Sequence, residues 1–327
     1  MAAYEESTIL STAGDKLTKL AWRPKGTPKG VVQLTHGMAE HIRRYDGLAQ
    51  ALAAAGFAVV GHNHLGHGET AGTRGYFARK GGWDALLADM HKIRQDTQKE
   101  YPGLPYFLLG HSAGSFLARC YLFEHSQGLR GAVLTGTGSF SKAEIRLGLL
   151  LSEMLILLGF GKRPAKLVDT LAFSANNKPF LPARTPFDWL SRDQEKVQAY
   201  ASDPMCGFVF TARGYHDMFS GMKRMADPKS IKAMDKDLPL LFLSGSRDPV
   251  GKNGLGLQRA IEAFRDAGMK DITVKLYPEA RHEVFNETNR QEVYTDLINW
   301  LLDKCSSLGK RLSNEFSGGV GGAHPSD

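Results

Sequence analysis

Three residues far apart in the chain, Ser112, Asp248 and His282, have the types and the order required for nucleophilic acyl transfer. Ser112 is the centre of Gly110-His111-Ser112-Ala113-Gly114, a G-x-S-x-G pattern. By itself that pattern is weak, because Gly and Ser are common. It gains meaning when an apolar strand precedes it and a helix follows, since a tight strand-to-helix turn lifts the hydroxyl clear of the sheet. A serine hydroxyl is a poor nucleophile until a base removes its proton. His282, in Pro278-Glu279-Ala280-Arg281-His282-Glu283, is the candidate base. Asp248, in Ser246-Arg247-Asp248-Pro249, is the candidate acid that fixes the imidazole tautomer and stabilises the imidazolium. Asp271 and Glu279 are its nearest rivals and are worse placed.

These residues need elements to carry them. Residues 7–12 and 17–23 read as a hairpin, joined by the turn Ala13-Gly14-Asp15-Lys16. Residues 31–35, 57–60, 106–109, 130–135, 240–243 and 272–276 are short apolar runs that read as strands. Helical patterns lie between or after them, at residues 45–55, 83–101, 113–125, 255–267 and 290–304. Strands alternating with helices imply an α/β fold with a mostly parallel sheet, covered on both faces. Ser112, Asp248 and His282 each follow a strand, and so share the carboxyl edge, where open α/β sheets bind ligands.

The alternation stops near residue 137 and resumes near residue 239. The reading is therefore a core of residues 1–137 and 238–305, a helical cap inserted at 138–237, and a Ser/Gly-rich tail at 306–327 expected to be disordered. Residues 145–160 of the cap, IRLGLLLSEMLILLGF, suit a lid helix that shelters an acyl chain, touches a membrane surface transiently, or packs on the core.

A tetrahedral intermediate needs preorganised donors for its oxyanion. The Ala113 amide, next to the serine at a helix start, is one candidate; the Met38 amide, in the loop after strand 31–35, is the second. That loop reads His36-Gly37-Met38-Ala39-Glu40-His41. Together with Arg44-Tyr45, Gly61-His62-Asn63-His64-Leu65-Gly66-His67-Gly68, the serine motif, Tyr200-Ala201-Ser202-Asp203-Pro204, Gly245-Ser246-Arg247-Asp248 and Arg281-His282-Glu283, it resembles monoacylglycerol lipases and bacterial lysophospholipase-like hydrolases. The resemblance spans about residues 17–302 and is weakest at 140–184. It implies an α/β-hydrolase fold with a lid, cleaving single-chain acyl esters of glycerol or related lipids. It also implies that Met38 and Ala113 are the oxyanion donors and that Tyr200 faces the substrate's polar head. Glu40, His41 and His111 are grouped with Tyr200 as expected substrate contacts. The chain departs from the family at Asn63, where Asp is common, and at Ala113, where Met is common; the second leaves chain-length preference open.

Composition bounds the alternatives. The chain has 327 residues and a net charge of +7, with no basic run interleaved with aromatics, so nucleic acid is not an expected partner. Cys120, Cys206 and Cys305 are few and far apart, so a disulfide framework is not expected and a reducing, cytoplasmic setting is, with peripheral membrane contact open. Cys206 reads as a packed cap thiol or a modifiable one. His62, His64 and His67 offer a zinc-like spacing, but a glycine-rich turn explains them as well, and acyl-enzyme chemistry needs no metal or cofactor. Remaining rivals are a thioesterase or peptidase on the same fold, a haloperoxidase or epoxide-type reaction, and a non-catalytic lipid-binding protein. Epoxide hydrolases usually carry Asp where this chain has Ser112.

Overall fold

The structure is a computed structural model that describes the backbone of residues 4–317 and side chains as far as Ser306. β1 (Tyr4–Leu10) and β2 (Lys16–Trp22) form the expected hairpin, and β2 runs antiparallel to β4 (Phe57–His62). β3 (Gly30–Thr35), β4, β5 (Tyr106–His111), β6 (Gly131–Thr135), β7 (Leu240–Gly245) and β8 (Ile272–Tyr277) are parallel, and the sheet order is β1-β2-β4-β3-β5-β6-β7-β8. Every residue of β3 to β7 is buried, which explains why these strands read as unbroken apolar runs. β8 is an edge strand, and its Val274 and Leu276 are exposed.

Helices cover both faces. On one side α1 (Asp46–Ala54) and α10 (Arg290–Ser317) pack with Trp22, Phe57, Phe107 and Trp300. On the other, α2 (Gly82–Glu100) and α3 (Ala113–His125) pack with Leu108, Phe242 and Phe264. α9 (Leu255–Asp266), between β7 and β8, contributes Phe264 to the same core. The last helix does not stop at residue 304. It continues to Ser317, so residues 306–317, expected to be irregular, are helical. The glycine-rich run begins only at Gly318. Residues 318–327 lie outside the described residues.

Between β6 and β7 lie α4 (Lys142–Leu155), α5 (Lys166–Phe173), α6 (Gln194–Ser202), α7 (Ala212–Met225) and α8 (Pro228–Lys232). α4 opens with a capping box, Ser141 to Glu144. Its Ile145, Gly148 and Ser152 are buried, and Gly148 sits so close to the Phe219 ring of α7 that no larger side chain fits. Its other face leaves Leu147, Leu150 and Met154 exposed, and Leu157, Leu158 and Phe160 follow, also exposed. The helix thus packs on its neighbour and presents an apolar surface at once.

The junction of β5 and α3 depends on two glycines. A Cβ on Gly114 would strike the carbonyl oxygens of Thr35 and His36, and one on Gly110 would strike the Gly114 carbonyl. Both obstacles are backbone and cannot swing aside. Gly114→Ala is expected to lower unfolding free energy by roughly 3 kcal/mol, the upper end of overpacking costs. Urea denaturation measures this; a loss within about 0.5 kcal/mol, the level of an indifferent surface change, would contradict so tight a contact.

Candidate active site

Ser112 occupies the turn between β5 and α3 with φ 53 and ψ −123, a conformation that L-residues adopt only under constraint. The turn is held by the Ser112 amide donating to the Thr135 carbonyl at 2.9 Å and by the Ser115 hydroxyl donating to the Ser112 carbonyl at 2.6 Å. β7 delivers Asp248 and β8 delivers His282 to the same edge. His282 Nδ1 donates to Asp248 Oδ1 at 2.9 Å, and both side chains are buried. Gly136 admits the His282 ring, since a Cβ there would lie 2.8 Å from its Cε1. Gly245 leaves room for the Ala280 and Arg281 carbonyls of the histidine loop. Ser112 and His282 line one cavity of about 670 Å³. Hydrogen bonds among the described residues do not include one from Ser112 Oγ to His282; such bonds are often long in an empty site and tighten around substrate.

Burial alone would depress the His282 imidazole. The Asp248 charge and hydrogen bond outweigh it, with the Glu283 and Glu40 charges behind them, and the ring is raised above its ordinary value. His111, whose ring centroid is 4.8 Å from that of His282, is pushed well down by burial and by His282 itself, so it stays neutral.

Met38 and Ala113 line the cavity beside Ser112, and neither backbone N–H meets another acceptor among the described residues. The 36–39 loop is fixed from below by histidines. His36 Nδ1 donates to the Gly37 carbonyl at 2.8 Å, and its Nε2 accepts the His64 amide at 3.0 Å. His67 Nδ1 donates to the Leu65 carbonyl at 3.0 Å, and its Nε2 accepts the Ala39 amide at 3.3 Å. These rings serve the loop as neutral hydrogen-bonding spacers. Burial depresses all four neighbouring imidazoles: His62 to about 3, His67 to about 4, His36 and His64 well below the usual range. They do not converge as zinc ligands. Among the described residues the one close set of ligand atoms is His41, Asp203 and Cys206, within 4.8 Å of one another.

The expected substrate contacts divide. His111, Glu40 and Tyr200 line the cavity; His41 does not, because its Nε2 is paired with Asp203 at 2.8 Å. The His41 ring thus turns toward Asp203, a direction that chain proximity to the loop does not reveal. The Tyr200 hydroxyl is spent on the Ala39 carbonyl at 3.0 Å, and the Arg44 guanidinium lies 4.7 Å over its ring. Glu40 is also engaged, accepting from the Gly37 amide at 2.6 Å, the Tyr45 hydroxyl at 2.9 Å and Arg44. Sequence reasoning missed Trp189, whose ring lies 5.0 Å from that of His282, and Glu287, whose buried carboxylate binds the Arg281 amide at 2.7 Å and Arg192 at 2.8 Å. Glu287 thereby ties the histidine loop to the segment before α6; five residues beyond His282, it gave no chemical signal.

With this geometry in hand, comparison with known proteins is decisive for the family. Residues 26–289 match the Hydrolase_4 family, described as serine aminopeptidase, S33. The chain belongs to that family. It is similar to the monoacylglycerol lipase of Mycolicibacterium smegmatis, with 29% identity covering 91% of this chain and 96% of the relative. Human monoglyceride lipase is 27% identical, with coverage of 92% and 91%. Among solved structures, a thermostable carboxyl esterase from Bacillus coagulans in complex with glycerol is 30% identical, with a TM-score of 0.87 over 93% of this chain and all of that one (100%). The expected α/β-hydrolase fold is borne out, and the chain is a carboxylic-ester hydrolase.

The buried imidazoles make the fold acid-labile. Each binds its proton more tightly in the unfolded chain, where the ordinary value is about 6.5, than in the fold. The stability they contribute is therefore complete above pH 6.5 and drains away as pH falls toward 4 and below. At pH 5 unfolding should take up protons, through His36, His62, His64, His67 and the equally buried His111. The slope of unfolding free energy against pH measures this uptake, and a flat profile between pH 6.5 and pH 5 would contradict it.

Proposed function

We propose that the chain hydrolyses monoacylglycerols or similar single-chain acyl esters, lysophospholipids included, through an acyl-enzyme on Ser112. The observation that carries this reading is a Ser112 on a strained turn sharing one cavity with an imidazole already oriented by Asp248. Ser112 Oγ attacks the ester carbonyl carbon while His282 Nε2 takes its proton. The carbonyl oxygen, now anionic, accepts from the Met38 and Ala113 amides. Collapse breaks the ester bond, and the leaving alcohol departs with the proton held on His282. A water then gives a proton to His282 and its hydroxyl to the acyl carbon; the bond from that carbon to Ser112 Oγ breaks, the fatty acid leaves, and His282 returns the proton to Ser112 Oγ.

The cavity walls support a fatty tail. Leu147, Leu151, Phe173, Met218, Phe219 and Met222 line it from the cap segment. The carboxylates that line it are occupied: Glu40 and Glu283 by Arg44, Glu144 by Lys252 at 2.9 Å, and Asp169 by the Tyr215 hydroxyl at 2.5 Å. Glu144 and the Glu40–Glu283 pair thus meet cations, while Asp169 keeps its charge against a neutral hydroxyl. We further propose residues 138–237 as the cap, meeting the lipid surface through the exposed leucines after α4. No helix among the described residues is long and apolar enough to cross a membrane.

Two outcomes test the reading. Fluorophosphonate should label the wild type and fail on Ser112→Ala, with hydrolysis of monoacylglycerol falling at least roughly 10³-fold; labelling that persists would remove Ser112 from the mechanism, and faster turnover of an aminoacyl anilide would favour a peptidase. Replacing Leu157 and Leu158 by Ser should weaken sedimentation with phosphatidylcholine vesicles while leaving turnover of a soluble short-chain ester unchanged. Equal vesicle binding by the variant would refute the proposed surface.

A further inference from the structure

Beside the Ser112 end of the cavity, three charged side chains are buried together with little access to water. The Arg44 side chain is 11% exposed, Glu40 3% and Glu283 6%. Arg44 Nη1 donates to Glu40 and, at 2.7 Å, to Glu283 Oε1, while its Nη2 donates to Glu283 Oε2 at 2.6 Å. Glu283 is the residue after His282, and Arg44 lies 239 positions away, at the entry to α1. The second Glu40 oxygen holds the Gly37 amide, one residue before Met38. A single guanidinium therefore joins the loop that offers the oxyanion donors to the loop that offers the imidazole. The two-pronged link to Glu283 cannot be reproduced by lysine, whose point charge lacks the forked geometry.

Burying three charges is costly, and such groups are weak evidence for stability, because apolar residues of the same size often serve the fold equally well. The set also leaves one excess negative charge near His282. Burial would raise the Glu283 carboxyl, but Arg44 holds it down to about 2, so it remains ionised throughout the working range. Burial and the Glu283 charge push Glu40 upward, against its Arg44 contact. The charged or titratable groups that face His282 are Asp248, Glu283, Glu40, Arg44 and the neutral His111.

We infer that Arg44, Glu40 and Glu283 are positioning residues that lock the oxyanion loop to the histidine loop and place a negative charge behind the catalytic imidazolium. The inference rests on the proposed Ser112 acyl-enzyme. The unit acts through Gly37–Met38 and through His282, so its loss should appear in kcat more than in KM. It also gives Glu283 a function that Asp248 does not duplicate: Asp248 orients the ring, whereas Glu283 adds field while its own oxygens are held by Arg44 and by Asn286 at 2.9 Å.

Glu283→Gln in the full chain is the most direct variant, since it keeps the shape and leaves Arg44 paired with Glu40. With a soluble p-nitrophenyl ester, kcat should fall roughly tenfold with KM changed less than about threefold. The acid limb of kcat/KM should move down by about one pH unit, because a charge favouring the imidazolium has been removed. Glu40→Gln should lower kcat comparably with a smaller movement of the limb, and Arg44→Lys should not restore wild-type kcat. Melting curves identify any variant that does not fold, and Glu283→Gln and Glu40→Gln then decide. A folded Glu283→Gln with unchanged kcat and an unmoved acid limb would overturn the inference alone. A wild type without Ser112-dependent hydrolysis would overturn the parent reading and this one together.

Discussion

The strained turn at Ser112 exists because three backbone segments approach too closely for any side chain to intervene. Gly114 lies against the carbonyls of Thr35 and His36, and Gly110 against Gly114, so β3, β5 and α3 meet at glycine-only contacts. A residue at φ 53 is costly by itself and persists only when its surroundings over-determine it. Here the surroundings are a fully buried parallel sheet and a helix that starts at Ala113. The same packing brings the 36–39 loop beside the serine, so one constraint sets both the proposed nucleophile and the proposed oxyanion donors.

Around that turn the molecule spends buried polarity to hold loops. Neutral histidines fix the 36–39 loop from below, and Arg44 fixes it from the side against the histidine loop. Glu287, with Arg192, fixes the histidine loop against the segment before α6, where Trp189 meets the His282 ring. Each pairing satisfies buried groups that would otherwise be costly to leave unpaired. The segment between β6 and β7 is built in the opposite way, with apolar contacts such as Gly148 against Phe219 and an exposed run of leucines. The cavity thus has a polar end and an apolar end.

Much of this was legible in the sequence because it depends on short-range rules. Apolar runs between turn residues gave β3 to β7, and the strand–G-x-S-x-G–helix order gave the turn. Ser112, Asp248 and His282 each follow a strand, after β5, β7 and β8, which pointed to the edge they share. What escaped depends on side-chain direction and on contacts between distant segments. His41 and Glu40 are neighbours, yet one turns to Asp203 and the other to Arg44. Tyr200 was expected to face a polar head, but its hydroxyl serves the Ala39 carbonyl. The Arg44–Glu283 pair joins residues that the sequence shows only in separate motifs. The Ser/Gly-rich composition after residue 305 hid the continuation of α10 to Ser317.

The central claim is that Ser112 carries the acyl group during turnover. Rapid acid quenching of the wild type during hydrolysis of a monoacylglycerol, followed by peptide mass spectrometry, tests it directly. The expected adduct is one acyl group on the peptide containing Ser112, at that residue, and it should be lost when His282 is replaced, because the same imidazole activates the serine for acylation. Sustained turnover with the acyl group found on a different side chain would contradict it.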